Sequence, residues 1–190
     1  MKKSRKIYIE TTEGWLVNLA LKNLPIKVVF NLCLNENRNI RNLAIYSLHN
    51  RSPINLVYKL SVNACNSNSY LKRETGVLLL SQLGSKQGYP YKVKSIPIFI
   101  KLINDKSLLV RKAVLVAIGH LYSKEKLNNV QLINKIISMS DSQNISLLID
   151  VAFALGACEQ TDGVIQALVK LKKHTDIDVS DWAIISLEAK

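Results

Sequence analysis

One pattern returns five times along this chain of 190 residues, and it limits the fold more than any total of its composition. Its sharpest copy runs Val110, Arg111, Ala113, Val114, Leu115, Ala117, Ile118, Gly119, Leu121: an arginine, a compact residue three later, and a small-apolar-glycine step at six to eight. Counting from the Arg111 slot, Arg41 opens a copy with Ala44, Ser47 and Leu48, and Arg73 opens one with Gly76, Leu79, Leu80, Ser81, Leu83 and Gly84. Leu148 leads Val151, Ala152, Ala154, Leu155 and Gly156, and Ser180 leads Ala183, Ile184, Ser186 and Leu187. The slots at 41, 73, 111, 148 and 180 stand 32, 38, 37 and 32 residues apart, which is the length of one helix-turn-helix unit in stacked repeat proteins. The expected fold is all-α, an α-α superhelix of about five stacked helix pairs with an N-terminal capping helix.

These residues resemble HEAT and armadillo-type repeats over roughly residues 25 to 190, best in the copy from Asp105 to Leu121. The resemblance implies an acidic residue six positions before the arginine, the two forming a ladder between neighbouring repeats. Asp105 before Arg111 fits, whereas Asn35 precedes Arg41 and Ser67 precedes Arg73, so there the ladder is expected to give way to weaker hydrogen bonds. The fold alone does not select a function, since one repeat architecture carries many.

The chain reads as a single repeat domain over 1–190: a flexible basic arm at 1–10, a capping helix at 11–24 through Trp15, Leu16, Leu19 and Leu21, and repeats over 25–190. Pro25, Pro53 and Pro97 mark starts of outer helices, where a fixed φ and a missing donor cost least. Outer helices are expected at 25–34, 53–64, 94–103, 128–139 and 162–172, and inner helices at 39–49, 70–82, 107–122, 145–157 and 178–189. The stretch from Gly84 to Lys94 is turn-rich and reads as the mobile loop.

No apolar run approaches the ~20 residues that span a bilayer, and Glu10 and Glu13 interrupt the apolar stretch that a signal peptide would need. A cytoplasmic protein is expected. Cys33, Cys65 and Cys158 show no paired spacing and read as reduced thiols, with Cys33 in VVFNLCL as core filling. The net charge of +12 is uneven: residues 1–126 hold 21 Lys and Arg against 6 Asp and Glu, and residues 127–190 hold 5 against 8. Such a field steers an acidic partner towards the first three repeats.

On an inner helix, each residue advances 100°, so offsets 0, 3, 4, 7, 8 and 11 from the arginine slot share the buried side and offset 5 faces away. Offset 5 holds Tyr46, Leu78, Val116, Phe153 and Ile185. These either form an apolar stripe along a concave groove or pack between adjacent inner helices. Beside them fall His120, Asp150 and Trp182, with Asp150 expected to face water or a partner because an unpaired buried charge is costly. The expected partner-binding set is therefore Tyr46, Leu78, Val116, His120, Asp150, Phe153 and Trp182. Most lysines, including Lys22, Lys27, Lys59, Lys92, Lys94 and Lys101, map to outer helices and loops, which argues against a phosphate-lined groove.

No residues form a metal-binding, nucleotide-binding or catalytic pattern, and His49, His120 and His174 stand in different repeats. No cofactor and no metal are expected. The sequence reads as a non-enzymatic, monomeric module that binds another protein, one with an acidic patch, through its concave face, either as a scaffold or as a dedicated inhibitor of the immunity-protein kind. The alternative is a nucleic-acid-binding protein similar in shape to DNA-alkylation-repair glycosylases, although Trp15 and Trp182 at opposite ends do not reproduce their constellation, and any nucleic-acid affinity is expected to be weak.

Overall fold

The computed structural model describes residues 12–188, so the basic arm expected at 1–10 lies outside the described residues. Among those described, eleven α-helices carry the chain and no strand forms. Residues up to Tyr91 make one compact unit and residues from Lys92 a second.

In the first unit, α1 (Thr12–Asn23) precedes two helix pairs, α2 (Ile26–Leu32) with α3 (Arg38–Leu48), and α4 (Ile54–Cys65) with α5 (Tyr70–Gln82). Pro25 and Pro53 stand at the N-caps of α2 and α4, as expected from their sequence positions. Helix α1 packs on α3 with Gly14, Asn18 and Leu21 buried, so that of the four residues that marked this helix in the sequence Leu21 is covered and Trp15, Leu16 and Leu19 are exposed. The i, i+4, i+7 stripe of small and medium residues fits close against α3, whereas the bulkier stripe would hold the two helices apart. Gly76 shows the same need for close approach: a β-carbon there would lie 2.6 Å from both Cys65 Sγ and Ser61 O of α4. Thr75, buried beside it, donates from Oγ1 to Cys33 O at 3.1 Å and ties α5 to the end of α2.

The segment that follows α5, turn-rich and expected to be a mobile loop, carries a hydrogen-bonded turn. Gly84 and Gly88 adopt φ +70° and +72° around a short 3-10 turn at Ser85–Gln87, a conformation that glycine enters without the Cβ penalty. Gly84 N donates to His49 O (2.6 Å), Lys86 N to Asn50 Oδ1 (3.0 Å), and Asn50 Nδ2 to Ser85 Oγ (3.0 Å). Tyr91 then stacks on Tyr58 with ring centroids 4.1 Å apart. Those bonds hold the turn against the end of α3.

The second unit contains three pairs: α6 (Lys92–Leu102) with α7 (Leu108–Leu121), α8 (Val130–Ser138) with α9 (Ile145–Gly156), and α10 (Asp162–Lys172) with α11 (Ile177–Glu188). Helix α6 begins two residues earlier than expected, so Pro97 lies inside it rather than in its first turn. Helix α9 packs against both α7 and α11. Glycines again set the spacing, since a β-carbon on Gly119 would meet the Phe153 ring and one on Gly156 would meet Ser186. Ser186 donates from Oγ to Ala152 O at 2.8 Å, joining α11 to α9 within the core. The connections after α7 and α9 also meet, with Leu127 N donating to Ala157 O (2.9 Å) and Glu159 N to Leu127 O (2.8 Å).

Burial follows the expected offsets in part: the arginine slot itself is half-buried in four copies, and offset 6, outside the expected set, is buried throughout. Offset 3 (Ala44, Gly76, Val114, Val151, Ala183) and offset 6 (Ser47, Leu79, Ala117, Ala154, Ser186) are buried in all five copies, whereas offset 5 is fully buried in none.

The turn inside each pair is built alike. Six residues before the arginine slot, a side chain accepts from the main-chain N–H two residues on: Asn35 Oδ1 from Asn37 (2.9 Å), Ser67 Oγ from Ser69 (3.2 Å), Asp105 Oδ1 from Ser107 (2.8 Å), Ser142 Oγ from Asn144 (3.1 Å) and His174 Nδ1 from Asp176 (3.0 Å). Asp105 therefore shares this role with residues that carry no negative charge. Each arginine donates from Nη1 to the two main-chain carbonyls that open its own turn: Arg41 to Asn35 and Glu36, Arg73 to Ser67 and Asn68, and Arg111 to Asp105 and Lys106, at 2.7 to 3.2 Å. At Arg41 and Arg73, where Asn35 and Ser67 stand in the acidic position, hydrogen bonds are expected, and these are the hydrogen bonds found. In three pairs a guanidinium thus satisfies carbonyls of the turn just beyond the first helix, and in the fifth Ser180 Oγ donates to Lys172 O, the last residue of α10 (2.7 Å).

Candidate functional site

In the second unit the candidate residues lie on the second helices of the three pairs. Lys112, Val116 and His120 follow at i, i+4 and i+8 along α7, which places them on one face. Asp150 and Phe153 occupy α9, and Trp182 and Ile185 occupy α11. The rings of His120 and Phe153 meet edge to face with centroids 5.5 Å apart, and those of Phe153 and Trp182 do so at 5.2 Å. This is the geometry that the quadrupoles of aromatic rings favour. The file crosses the second helices of all three pairs in the unit and ends in partly exposed rings, with Trp182 37% exposed. A cleft of about 130 Å³ opens beside it, lined by Gly119, Lys126, Phe153, Gly156, Trp182 and Ile185 among others. Partial burial, without a compensating charge, lowers the pKa of His120 from its ordinary value, so neutral imidazole is favoured there.

Asp150 does not present the free charge expected of it. Its carboxylate is 17% exposed and lies 3.5 Å from Lys112 Nζ. Placing an acid on α9 one helix away from a lysine of α7 lets the pair remain charged under partial cover, which an isolated carboxylate could not. Val116 and Phe153 are half-buried, so in this unit the offset-5 residues both pack between helices and present an edge to solvent.

In the first unit Tyr46 is 49% exposed and Leu78 is half-buried. The Tyr46 ring meets His49 edge to face at 6.0 Å. Tyr46 also borders a cleft of about 540 Å³ whose walls include Asn18, Lys22, Asn50, Arg51, Gln82 and Lys86. Arg51 spans the gap to α1, donating from Nη1 to Leu21 O at 2.9 Å and from Nη2 to Leu24 O. The sequence reading had assigned Lys22 to the outer surface. It lines this cleft instead, because α1 packs on α3 and so stands beside the second helices of the pairs. Lys86 and Arg51 escaped notice because both lie outside regular helices, where periodicity gives no direction. The pattern of small residues at offset 8 could have revealed the floor of the cleft in the second unit, Gly119 and Gly156.

Among the described residues no group of three His, Cys, Asp or Glu side chains is placed to hold a metal ion, and no helix is long and apolar enough to cross a membrane. Burial pushes the thiols of Cys33 and Cys158 up to about 12, which leaves both without nucleophilic thiolate near neutral pH.

A family model for the HEAT repeat matches residues 96–124, spanning most of α6, all of α7 and the turn between them. Solved structures share the fold over nearly the whole chain. The Escherichia coli protein YibA matches at a TM-score of 0.77 with 19% identity, covering 94% of this chain and 63% of its own. Part of a structure describing how Kap95p binding switches the loops of RanGDP matches at 0.72 with 14% identity, over 90% of this chain and 24% of that one. A designed armadillo repeat protein in complex with the peptide (KR)4 matches at 0.59 with 16% identity, over 98% and 95%. The chain thus spans less than two thirds of YibA and about a quarter of the second relative. No curated protein sequence matches significantly. The chain thus has the helical-repeat fold of HEAT and armadillo-type proteins, an α-α superhelix, and matches the HEAT repeat itself over residues 96–124.

Proposed function

We propose that this chain is a non-enzymatic interaction module that binds a partner protein through the face carried by the second helices of its repeats, the concave face of such folds. The observation that carries this reading is the file His120, Phe153, Trp182, in which three rings from three successive second helices lock edge to face and still expose their outer edges beside a small apolar cleft. Protein interfaces concentrate their energy in such aromatic anchors ringed by polar groups, here Lys112, Asp150 and Lys126. Repeat proteins of similar fold that engage a protein or a peptide, Kap95p and the designed (KR)4 binder, support a protein partner in general. The role is that of a scaffold or of a dedicated inhibitor.

The test is titration of the native partner, recovered with the full chain from its own cell. Trp182→Ala should weaken its affinity at least tenfold and Tyr46→Ala measurably, while Lys59→Ala and Lys101→Ala on first helices leave it unchanged. The reverse ranking would move the site to the other face. A nucleic acid bound tightly and selectively near physiological salt would replace the reading altogether, since counterion release alone gives only weak, salt-sensitive binding.

A further inference from the structure

The first unit carries 13 Lys and Arg against 4 Asp and Glu over residues 1–91, a net +9, and its main cleft concentrates that sign. Lys22 from α1, Arg51 from the end of α3 and Lys86 from the 3-10 turn stand around about 540 Å³ with no Asp or Glu in the wall. That volume falls in the ~300–1,000 Å³ range of ligand clefts. Arg51 is partly used, holding Leu21 O and Leu24 O at the C-terminus of α1. The walls add the amides of Asn18, Asn50 and Gln82. Asn18 is 8% exposed, and its Oδ1 is buried without a hydrogen-bond partner among the described residues. Such an acceptor costs free energy until a donor reaches it.

We infer that this cleft seats an acidic segment of a partner protein, carboxylates against Lys22 and Lys86 and a main-chain or side-chain N–H on Asn18. The orphan acceptor favours a peptide: an extended peptide brings several N–H donors together with its carboxylates, whereas a phosphomonoester dianion brings acceptors only and free phosphate no more than one or two O–H groups. Tyr46 at the rim offers the apolar contact beside the charges. The inference rests on the protein-binding reading for the nature of the occupant and supplies the chemistry of the segment.

The probe is a fluorescein-labelled hexaglutamate peptide titrated into the full chain near physiological salt. Binding is expected, and replacing Lys22 and Lys86 together by Gln should weaken it at least tenfold, while Lys59→Gln with Lys72→Gln, an equal loss of charge at exposed sites of the same unit, changes it less than twofold. Asn18→Leu should weaken it as well, with thermal unfolding confirming the fold. No binding, equal effects of the two lysine pairs, or displacement of the peptide by a hexathymidylate or inorganic phosphate at lower concentration than unlabelled peptide would overturn the assignment. The peptide titration reads the first-unit cleft and the native-partner titration of Trp182→Ala reads the second-unit file, so failure of one reading is distinguishable from failure of the other.

Discussion

Phe153 lies on Gly119: a β-carbon at Gly119 would stand 2.2 Å from Cε1 and 2.5 Å from Cδ1 of the ring, inside any real contact. The absent side chain on α7 is what allows the α9 ring to reach both His120 and Trp182. Gly119→Ala gains up to ~1 kcal/mol of helix propensity but must displace an aromatic ring from a packed site, which costs about 1–3 kcal/mol. Net destabilisation is expected in urea unfolding. Phe153→Leu in the same background should recover part of it, and Gly119→Ala should weaken partner binding even where the fold survives.

Each arginine bonds to carbonyls of its own turn, so the three repeats that keep it should behave alike. Arg41→Ala, Arg73→Ala and Arg111→Ala should each cost about 1–3 kcal/mol, the range for hydrogen bonds to charged groups. Asp105→Asn keeps the acceptor for Ser107 N and should cost less than Asp105→Ala. An Asp105→Asn penalty equal to that of Arg111→Ala would show that the carboxylate charge carries the turn.

How much of this was legible in the sequence follows from what periodicity can report. Ala44, Gly76, Val114, Val151 and Ala183 share an offset because a second helix must approach its neighbours closely there, and their burial follows from rotation alone. The row Tyr46, Leu78, Val116, Phe153 and Ile185 follows in the same way. Pairing across helices does not: nothing local to Asp150 announces Lys112, 38 positions earlier, and the apparent anomaly of a charge in LLIDVAFALG is resolved only by the packing of α9 on α7. The packing face of helix α1 was not legible for a related reason. Its most apolar face, Trp15, Leu16 and Leu19, is exposed, and the fit of Gly14, Asn18 and Leu21 against α3 depends on a surface 20 residues away.

Partial burial lowers the pKa of His120 below its ordinary 6.5. A folded-state pKa below the unfolded one means that the unfolded chain binds the proton first. The contribution is therefore intact above about 6.5 and is lost as pH falls from there through the folded value. His120→Gln should flatten the slope of stability against pH in that window relative to the parent chain, and the His120 ring protons should titrate below 6.5 by NMR. A midpoint at or above 6.5 would contradict the packing described against Phe153.

Cys33 and Cys158 combine near-complete burial with thiols raised to about 12. Reaction with a disulfide reagent at pH 8 should proceed only as fast as local or global opening exposes them. Native protein is expected to react at least a hundredfold more slowly than urea-unfolded protein. Labelling of either cysteine at the rate of a free thiol would show that the helix ends at α2 or α9 open readily.

The Lys112 and Asp150 pair separates a structural from a binding role at the site. Asp150→Lys sets two ammonium groups where a pair stood 3.5 Å apart under partial cover, and the fold should lose about 1–3 kcal/mol, between the values of exposed and fully buried pairs. Lys112→Asp should be costly for the same reason. The exchange of both, Lys112→Asp with Asp150→Lys, restores opposite charges and should recover most of the stability, with a coupling measurable by double-mutant cycle. Partner affinity then gives the decision. If the carboxylate itself meets the partner, the exchanged protein folds like the parent yet binds at least tenfold more weakly. If the pair only positions α7 against α9 so that His120 and Phe153 meet, the exchanged protein both folds and binds like the parent.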